Sequence, residues 1–407
     1  MTSMEKVKYI EGLRGLASII VVLSHFAVFF YPSLYTGDAS EARFVSKLDI
    51  VIAGTPLNLI YNGNFAVCIF FLLSGYVLSY KYFKTNDYEY VISGAFRRYF
   101  RLLIPVLAIN IITFVLMREG LFFNKQVGYS IGSTWWLNQQ WAFSPTVSNL
   151  LKESFIGVFF LQADNYNPAQ WTMTYELLGS YLVFAILALF GRYKHRNFVY
   201  FILCCVFFQT YFLAFIAGLI ICDLSINGFI ETFGKKAFKW VLIGLIFGSY
   251  PAGMDVSNTI YKIFDFSAVY DVPIIYNMPL FYHILGSVCF FLVLINSERL
   301  QRFFSAKPLL LLGRMSFSIY LVHLPIMGTF SGFMFIMLHR SMGDIAAFAV
   351  TFVSSLVLIL AVAFIMNKFV DEKGIRLTQL MYDLFNDKIL KRFKRLILQS
   401  IISGSLK

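Results

Sequence analysis

The residues best able to do chemistry in this sequence are an arginine and a histidine inside its first apolar segment, Tyr9 to Pro32. Arg14 and His25 are eleven positions apart, so on a helix they share one face, with about 20° of residual rotation and roughly 16 Å between them along the axis. Membrane helices rarely carry either residue without a reason. A fixed cation near one end and a titratable base deeper in the helix suggest an anionic ligand at the membrane surface and proton transfer inside.

His25 is the leading catalytic candidate, because an imidazole titrates near neutrality and can take a proton from a hydroxyl nucleophile. The alternative is a packing residue held by hydrogen bonds. We favour the catalytic interpretation because burying a polar side chain inside a membrane is costly.

Glu176 is the only carboxylate that we place inside an apolar segment, in the stretch WTMTYELLGSYLVF, five residues after Trp171. We expect it near the outer end of its helix, in the same half of the bilayer as His25. There its charge could orient the imidazole and stabilise the protonated form, as a carboxylate does beside a catalytic histidine. The alternative is a structural acid paired with a tyrosine or with water.

Three arginines, Arg97, Arg98 and Arg101, open the third apolar segment at helical spacing. Guanidinium groups suit phosphate because their N–H groups form a fork that matches its oxygens. The alternative is a positively charged anchor on the inner side of the membrane. Together with Arg14, these residues offer four guanidiniums on one side for a polyanion such as coenzyme A.

Polar residues also recur in the stretch LLGRMSFSIYLVHLPI, where Ser316, Tyr320 and His323 share one helix face. They could line a reaction cavity, as could Trp171, or they could join helices through hydrogen bonds. In the stretch FFLLSGYVLS we interpret Ser74 chiefly as a small residue for close helix packing.

Three tryptophans, Trp135, Trp136 and Trp141, lie in a long outer segment beside a run of amide side chains. Flat apolar rings next to amides suit the face of a sugar, which makes this segment a possible acceptor loop. Tryptophans also form belts at membrane interfaces, and this second interpretation is favoured.

The composition indicates a polytopic membrane protein, an all-α bundle of transmembrane helices. Of its 407 residues, 58% are hydrophobic and 14% are charged, far from the averages of soluble domains. We divide the chain into a transmembrane domain, residues 1–370, and a cytoplasmic amphipathic basic tail, residues 371–407. The sequence predicts about ten transmembrane helices, at residues 10–31, 62–80, 100–117, 171–190, 197–208, 211–224, 240–252, 280–296, 309–338 and 345–369.

The net charge of +12 would indicate nucleic-acid binding in a soluble protein, but here the positive-inside rule explains it better. With the N-terminus in the cytoplasm, 27 of the 34 lysines and arginines fall on the inner side. We therefore predict two cytoplasmic termini, no nucleic-acid partner, and contact of the basic tail at Lys391 to Arg395 with the lipid bilayer. The five cysteines lie in apolar segments without a CxxC pair, so neither a metal site nor a disulfide is expected.

Six stretches, in this order, resemble motifs of the acyltransferase-3 family of integral membrane O-acyltransferases. The first holds Arg14 and His25, the third is an arginine motif with Arg98 and Arg101, and the fourth runs from Trp171 to Glu176. We expect a stand-alone member without the hydrolase-like domain that some members append. The stretches are YIEGLRGLASIIVVLSHF, NFAVCIFFLLSGYVLS, RRYFRLLIP, WTMTYE, FLAFIAGL and GRMSFSIYLVHLPI.

The resemblance implies transfer of an acyl group, most often acetyl, from cytosolic acyl-coenzyme A to a hydroxyl of a surface glycan, a glycolipid or a smaller product. Acetyl-coenzyme A would be the donor substrate, and the cell membrane the location. His25 would be the catalytic base or a transient acyl carrier, and Glu176 and His323 would belong to the same site. Arg14, Arg98 and Arg101 would make donor or structural contacts.

Two alternatives stay open at this point. The first is an acyltransferase that acts on a small lipophilic metabolite. The second is a transporter or flippase in which Arg14 and His25 form an intramembrane charge relay, although the chain shows no inverted repeat of the kind that transporters use.

Overall fold

Long apolar helices dominate the computed structural model, which describes residues 8–44, 46–229, 237–265 and 277–387. All regular secondary structure in these ranges is helical, so the all-α prediction is confirmed for them. The tail is described only as far as residue 387, and the basic stretch from Lys391 to Arg395 lies outside the described residues. The main helices are α1 (Lys8–Phe30), α2 (Gly63–Thr85), α3 (Tyr88–Arg118), α4 (Trp171–Phe190), α5 (Arg196–Val206), α6 (Phe212–Ile226), α7 (Ala237–Gly248), α8 (Met278–Asn296), α9 (Lys307–Ile326), α10 (Gly332–Met342), α11 (Asp344–Met366) and α12 (Glu372–Phe385).

Shorter helical pieces connect these elements. Two π-helical turns join α9 to α10 and α11 to α12, and a third precedes the short helix before α4. The short α-helices are Ser33–Thr36, Leu48–Ala53, Asn124–Ile131, Val147–Lys152, Val158–Phe160 and Glu298–Phe304. The 3₁₀ turns are Ala39–Glu41, Pro56–Tyr61, Pro168–Gln170 and Ile260–Phe264, and the π turns are Glu153–Gly157, Met327–Ser331 and Asn367–Asp371.

Within the described ranges, seven helical stretches are long and apolar enough to cross a membrane. Three shorter apolar helices, Arg196–Val206, Phe212–Ile226 and Lys239–Gly248, coincide with predicted segments of the chain. The multi-pass helical architecture is therefore confirmed. The number of ten crossings and the cytoplasmic side of the termini stay predictions.

The third segment begins earlier than the sequence predicted, because its N-terminus is capped. Asn86 ends α2 in the left-handed conformation, with φ of 52°, and its N–H donates to the Tyr82 carbonyl at 2.7 Å. The Asp87 carboxylate then accepts from the N–H of Glu89 at 2.9 Å, which starts α3 at Tyr88 and not at residue 100. Arg98 therefore lies well inside α3 and not at its opening.

Close backbone contact at glycines brings the central helices together. A Cβ at Gly75 of α2 would lie 2.0 Å from the Phe215 carbonyl oxygen of α6, and one at Gly313 of α9 would lie 2.0 Å from the Glu11 carbonyl oxygen of α1. Small residues allow such contact between membrane helices. The α1 helix packs against α9 and α2, while α2 also contacts α4 and α4 contacts α3.

The start of α4 is buried inside the bundle. Asn167 and Gln170, just before it, are both fully buried. The side-chain amide of Gln170 donates to the Asn110 side chain of α3 at 2.8 Å, and that of Asn167 donates to the Leu321 carbonyl of α9 at 2.7 Å. Residues near the N-terminus of α4 are thus held between α3 and α9, deeper than their position in the sequence indicates.

Candidate active site

A cavity of about 390 Å³ opens between α1, α2, α3, α4, α9 and the junction of α11 with α12. It is at the end of the bundle where α1 begins, the end that the sequence predicts to be cytoplasmic. Its apolar wall includes Phe70, Phe71 and Phe317. Its polar lining residues are Glu11, Arg14, Ser74, Arg98, Arg101, Thr172, Glu176, Arg314, Ser316, Tyr320, Asn367, Asp371 and Glu372.

Two of the cavity's arginines, Arg14 and Arg101, differ from the others in their contacts with the described residues. Neither Arg14 nor Arg101 has an ion pair or a hydrogen bond with any residue that the structure describes. Their charges act on each other, and Arg14 also lies within the electrostatic reach of Glu176 and Asp371. Two guanidiniums that face one cavity without a partner can bind an anion there.

Arg98 differs from these two, because its guanidinium is already bound. It forms an ion pair with Glu176 and donates through Nε to the Ser180 hydroxyl at 2.8 Å. The Ser74 hydroxyl donates to the same Glu176 oxygen at 2.7 Å. The side chains of Arg98 and Glu176 are only 10% and 15% exposed, so this network fixes α2, α3 and α4 to one another.

Further charges lie at the rim of the cavity. Arg314 is 67% exposed, and its Nε lies 3.9 Å from a Glu11 carboxylate oxygen. The Asn367 side chain donates to Glu372 at 3.3 Å. The rim therefore carries both signs of charge, and over the whole lining the four arginines are matched in number by the carboxylates Glu11, Glu176, Asp371 and Glu372.

The cavity also reaches Tyr320 of α9. Its hydroxyl donates to the Ala169 carbonyl at 2.8 Å and forms a hydrogen bond of 2.7 Å with the Thr172 hydroxyl. Ser316, one turn earlier on the same helix, lines the cavity as well. His323 follows one turn later and is fully buried, with its ring centroid 5.9 Å from that of Tyr320.

His323 lies between Tyr320, which lines the cavity, and His25. The His323 Nε2 lies 3.2 Å from the His25 Nδ1, and the ring centroids are 4.9 Å apart. His25 is half-buried, and its Nδ1 also lies 2.9 Å from the Val21 carbonyl oxygen. His25 is not one of the lining residues, so it lies just beyond Tyr320 and His323.

One tryptophan of the loop that the sequence predicts to lie outside reaches this histidine pair. The Trp136 ring centroid lies 6.4 Å from that of His25. Trp141 is buried instead, with its indole N–H donating to the Tyr166 carbonyl at 3.0 Å, and Trp135 is 43% exposed. Of the three residues in the possible acceptor loop, the structure therefore brings only Trp136 to His25.

Asp164 lies in the connection that leads into α4, outside the membrane-spanning helices. Burial, together with the negative charge of Glu153, raises the pKa of the Asp164 carboxyl to about 6. Glu153 is held by the Tyr166 backbone N–H at 3.0 Å and by the Asn165 side chain at 2.8 Å. An acid that changes its charge close to neutral pH therefore lies on the outer side of the predicted topology.

The contacts among the predicted site residues differ from those that the sequence led us to expect. His25 pairs with His323, and Glu176 pairs with Arg98 and Ser74, so the predicted contact between Glu176 and His25 is not present in the described part of the chain. The physical reason is the position of α4 along the bundle. Because α4 begins inside the bundle, Glu176 lies beside Arg98 and not beside His25. Trp171 does not line the cavity but packs against other aromatic rings, at 5.2 Å from Tyr211.

Sequence reasoning missed six polar residues of the cavity: Glu11, Thr172, Arg314, Asn367, Asp371 and Glu372. Arg314 stands two residues before Ser316 in the motif GRMSFSIYLVHLPI and could have been found there as a charged residue in an apolar helix. Thr172 gave no signal, because a threonine at the start of an apolar helix is usually a packing or capping residue.

Comparisons with known proteins identify the kind of protein to which this site belongs. Residues 7–368 match the family model Acyl_transf_3, described as an acyltransferase domain. Acyltransferase clz18 from Cochliobolus lunatus is 24% identical over 89% of this chain and 93% of that protein. No solved structure matches the chain.

Two further relatives align over about half of each chain. Acyltransferase R4 from Phoma sp. is 29% identical over 42% of this chain and 46% of its own. O-acetyltransferase PaAT-1 from Phomopsis amygdali is 24% identical over 54% and 49%. The match of the family model across almost the whole chain confirms the resemblance found in the motifs, and it favours an enzyme over a transporter. This chain belongs to the Acyl_transf_3 family of membrane acyltransferases.

Proposed function

We propose that the protein is an O-acetyltransferase that moves an acetyl group from cytosolic acetyl-coenzyme A to an acceptor hydroxyl. The observation that supports it most is the pair of guanidiniums, Arg14 and Arg101, which face one cavity without an ion pair among the described residues. The cavity continues to Tyr320, whose neighbour His323 contacts His25. The proposed anion site and the proposed base are thus linked through Tyr320 and His323 within one helix bundle.

The two arginines are suited to the phosphates of the donor. A hydrogen bond between charged groups contributes roughly 1.5 to 3 kcal/mol, so removing one such bond corresponds to about a 10- to 100-fold change in Kd. Arg98 supports the donor site indirectly, because its ion pair with Glu176 holds the wall of the cavity. The apolar residues further in, such as Phe70 and Phe317, suit the pantetheine arm of coenzyme A, which carries the acyl group at its end.

His25 serves as the general base in this proposal. It takes the proton of the acceptor hydroxyl while the acceptor oxygen forms a bond to the acyl carbon and the carbon–sulfur bond breaks. His25 then returns the proton to the departing sulfur, so the products are the ester and the free thiol. The alternative is that His25 carries the acyl group itself between donor and acceptor.

The acceptor reaches His25 from the outer side in this proposal, since Trp136 of the outer loop lies beside the imidazole. A cell-surface glycan or glycolipid at the cell membrane is the acceptor that fits this arrangement. A small lipophilic metabolite is the second candidate. It is favoured by an apolar groove of about 420 Å³ beside the same half of α1, lined by residues that include Phe26, Tyr31 and Phe348.

The test is a turnover assay with purified protein in lipid nanodiscs and acetyl-coenzyme A labelled in the acetyl group. Release of the free thiol and transfer of the label to an extract of membrane glycans support the proposal. Transfer only to the extract of small metabolites supports the second acceptor. The absence of donor binding, together with no release of thiol in any extract, contradicts the proposed donor.

A further inference from the structure

The two histidines are arranged so that their hydrogen atoms can be assigned. Each Nδ1 lies against the carbonyl of the residue four positions earlier in its own helix, at 2.9 Å for His25 and Val21 and at 3.1 Å for His323 and Ile319. A carbonyl oxygen only accepts hydrogen bonds, so each Nδ1 carries the hydrogen of its neutral ring. Each Nε2 then carries a lone pair.

This assignment also satisfies the contact between the rings. The His323 Nε2, without a hydrogen, accepts from the His25 Nδ1–H across 3.2 Å, and that N–H is shared with the Val21 carbonyl. Reversing the tautomer of His25 would place two lone pairs against its Nδ1. The one basic atom left on His25 is therefore Nε2, which has no hydrogen-bond partner in the described ranges.

His323 is itself held firmly. It is fully buried, and Pro325 follows two residues later in the same helix. Because proline has no N–H to donate to the Leu321 carbonyl, that carbonyl accepts instead from the Asn167 side chain at 2.7 Å. The α9 turn that carries His323 is thus fastened to the buried segment before α4.

We propose that His323 is a positioning residue for His25, an inference that rests on the proposed function of His25 as the base. By accepting from Nδ1–H, His323 directs Nε2 of His25 toward the acceptor hydroxyl. When Nε2 takes the hydroxyl proton, the ring becomes positive and its Nδ1–H becomes a stronger donor to His323 and to the Val21 carbonyl. A neutral imidazole here performs the orienting function of a carboxylate in other enzymes, while Glu176 is occupied by Arg98.

The test compares two substitutions of His323 by steady-state kinetics in which the concentration of acetyl-coenzyme A is varied up to saturation. His323→Leu removes the acceptor, and we expect kcat to fall about 10- to 100-fold while the KM for the donor changes less than about twofold. His323→Gln offers a side-chain oxygen that can accept from Nδ1–H, and we expect kcat within about fivefold of the wild type. His195→Gln, in an exposed loop, is the matched control with unchanged kcat.

The outcomes separate this proposal from the proposed function. If His25→Ala has wild-type turnover, the proposed function fails and this inference fails with it. If His25→Ala is inactive while His323→Leu keeps the wild-type kcat, only the positioning proposal is overturned. A Gln variant as impaired as the Leu variant would also overturn it, because the change in side-chain shape and not the missing acceptor would then explain the defect.

A second measurement does not depend on the variants being folded. The ¹⁵N chemical shifts of labelled histidines in the wild-type protein report which ring nitrogen carries hydrogen. We expect Nδ1–H and an unprotonated Nε2 for both His25 and His323. An Nε2–H tautomer at His25 would overturn the assignment of the reacting atom.

Discussion

Glu176 and Arg98 form an ion pair in the wall of the cavity, where their side chains are 15% and 10% exposed. Ser74 and Ser180 complete the pair with hydrogen bonds of 2.7 and 2.8 Å. A charge inside a membrane helix usually faces a cavity or is paired, and this one is paired. Arg98 therefore makes a structural contact, one of the two roles that the sequence allowed it, and its part in donor binding stays a prediction.

Removing one partner of this pair should destabilise the protein, because it leaves the other charge buried and uncompensated. For Arg98→Ala we expect a loss of about 3 to 5 kcal/mol, seen as a lower unfolding midpoint in detergent. The double variant of Arg98→Ala with Glu176→Gln should recover a large part of this loss, since no unpaired charge remains. A double variant no more stable than Arg98→Ala would show that the ion pair does not determine the loss.

Arg14 and Arg101 should contribute to donor affinity and not to stability. Each change to alanine should weaken coenzyme A binding about 10- to 100-fold, measured by titration calorimetry, because each removes a hydrogen bond with a charged group. The unfolding midpoint should stay close to that of the wild type. Arg118→Ala, an exposed position at the other end of α3, is the matched control. Wild-type affinity in both variants would exclude these residues from the donor site.

The sequence predicted the helices well because their signals are local. Apolar length and the distribution of lysines and arginines are read from neighbouring residues, and α1 indeed carries both Arg14 and His25. The start of α3 was wrong by twelve residues, since Asn86 and Asp87 end one helix and cap the next through hydrogen bonds that hydropathy does not show.

The contacts between the site residues were harder to predict, because they depend on how deep each residue lies in the helix bundle. Glu176 is six residues into a helix, and its depth was judged from the start of that helix alone. The buried contacts of Asn167 and Gln170 set α4 deeper in the bundle, which takes Glu176 away from His25 and toward Arg98. The partner that His25 has instead, His323, was recognised as a polar residue of the right helix face, but its contact joins residues 298 positions apart in the chain.

Asp164 should make stability depend on pH. Its pKa rises from the ordinary value of 3.8 to about 6 on folding, so the native state holds the proton more tightly than the unfolded state. The native state is then favoured at low pH and loses this advantage as pH rises through about 4 to 6. Asp164→Asn should therefore raise the unfolding midpoint near pH 8 and leave it unchanged near pH 4. An equal shift at both pH values would contradict the charge explanation.

The predicted topology places Lys84 in the cytoplasm and the loop of Trp135 to Gln140 outside. Single cysteines at Lys84 and Gln139, both exposed, should respond differently to an impermeant thiol reagent added to intact cells. We expect labelling at Gln139 and none at Lys84 until the cells are opened, because the charge distribution orients the helices. Labelling of both sites in opened cells is the control for reactivity. Strong labelling at Lys84 in intact cells would reverse the topology.

His25→Ala should abolish transfer while leaving donor binding intact. A general base contributes typically 10²- to 10⁴-fold to the rate, and we expect a loss of this size in kcat. The Kd for coenzyme A should change less than about twofold, since His25 lies beyond the cavity that Arg14 and Arg101 line. Added imidazole should restore part of the rate in this variant if the base is all that is missing, whereas a structural defect would not respond. Wild-type turnover in His25→Ala would show that His25 is not the base, and the reaction proposed for this protein would then be wrong.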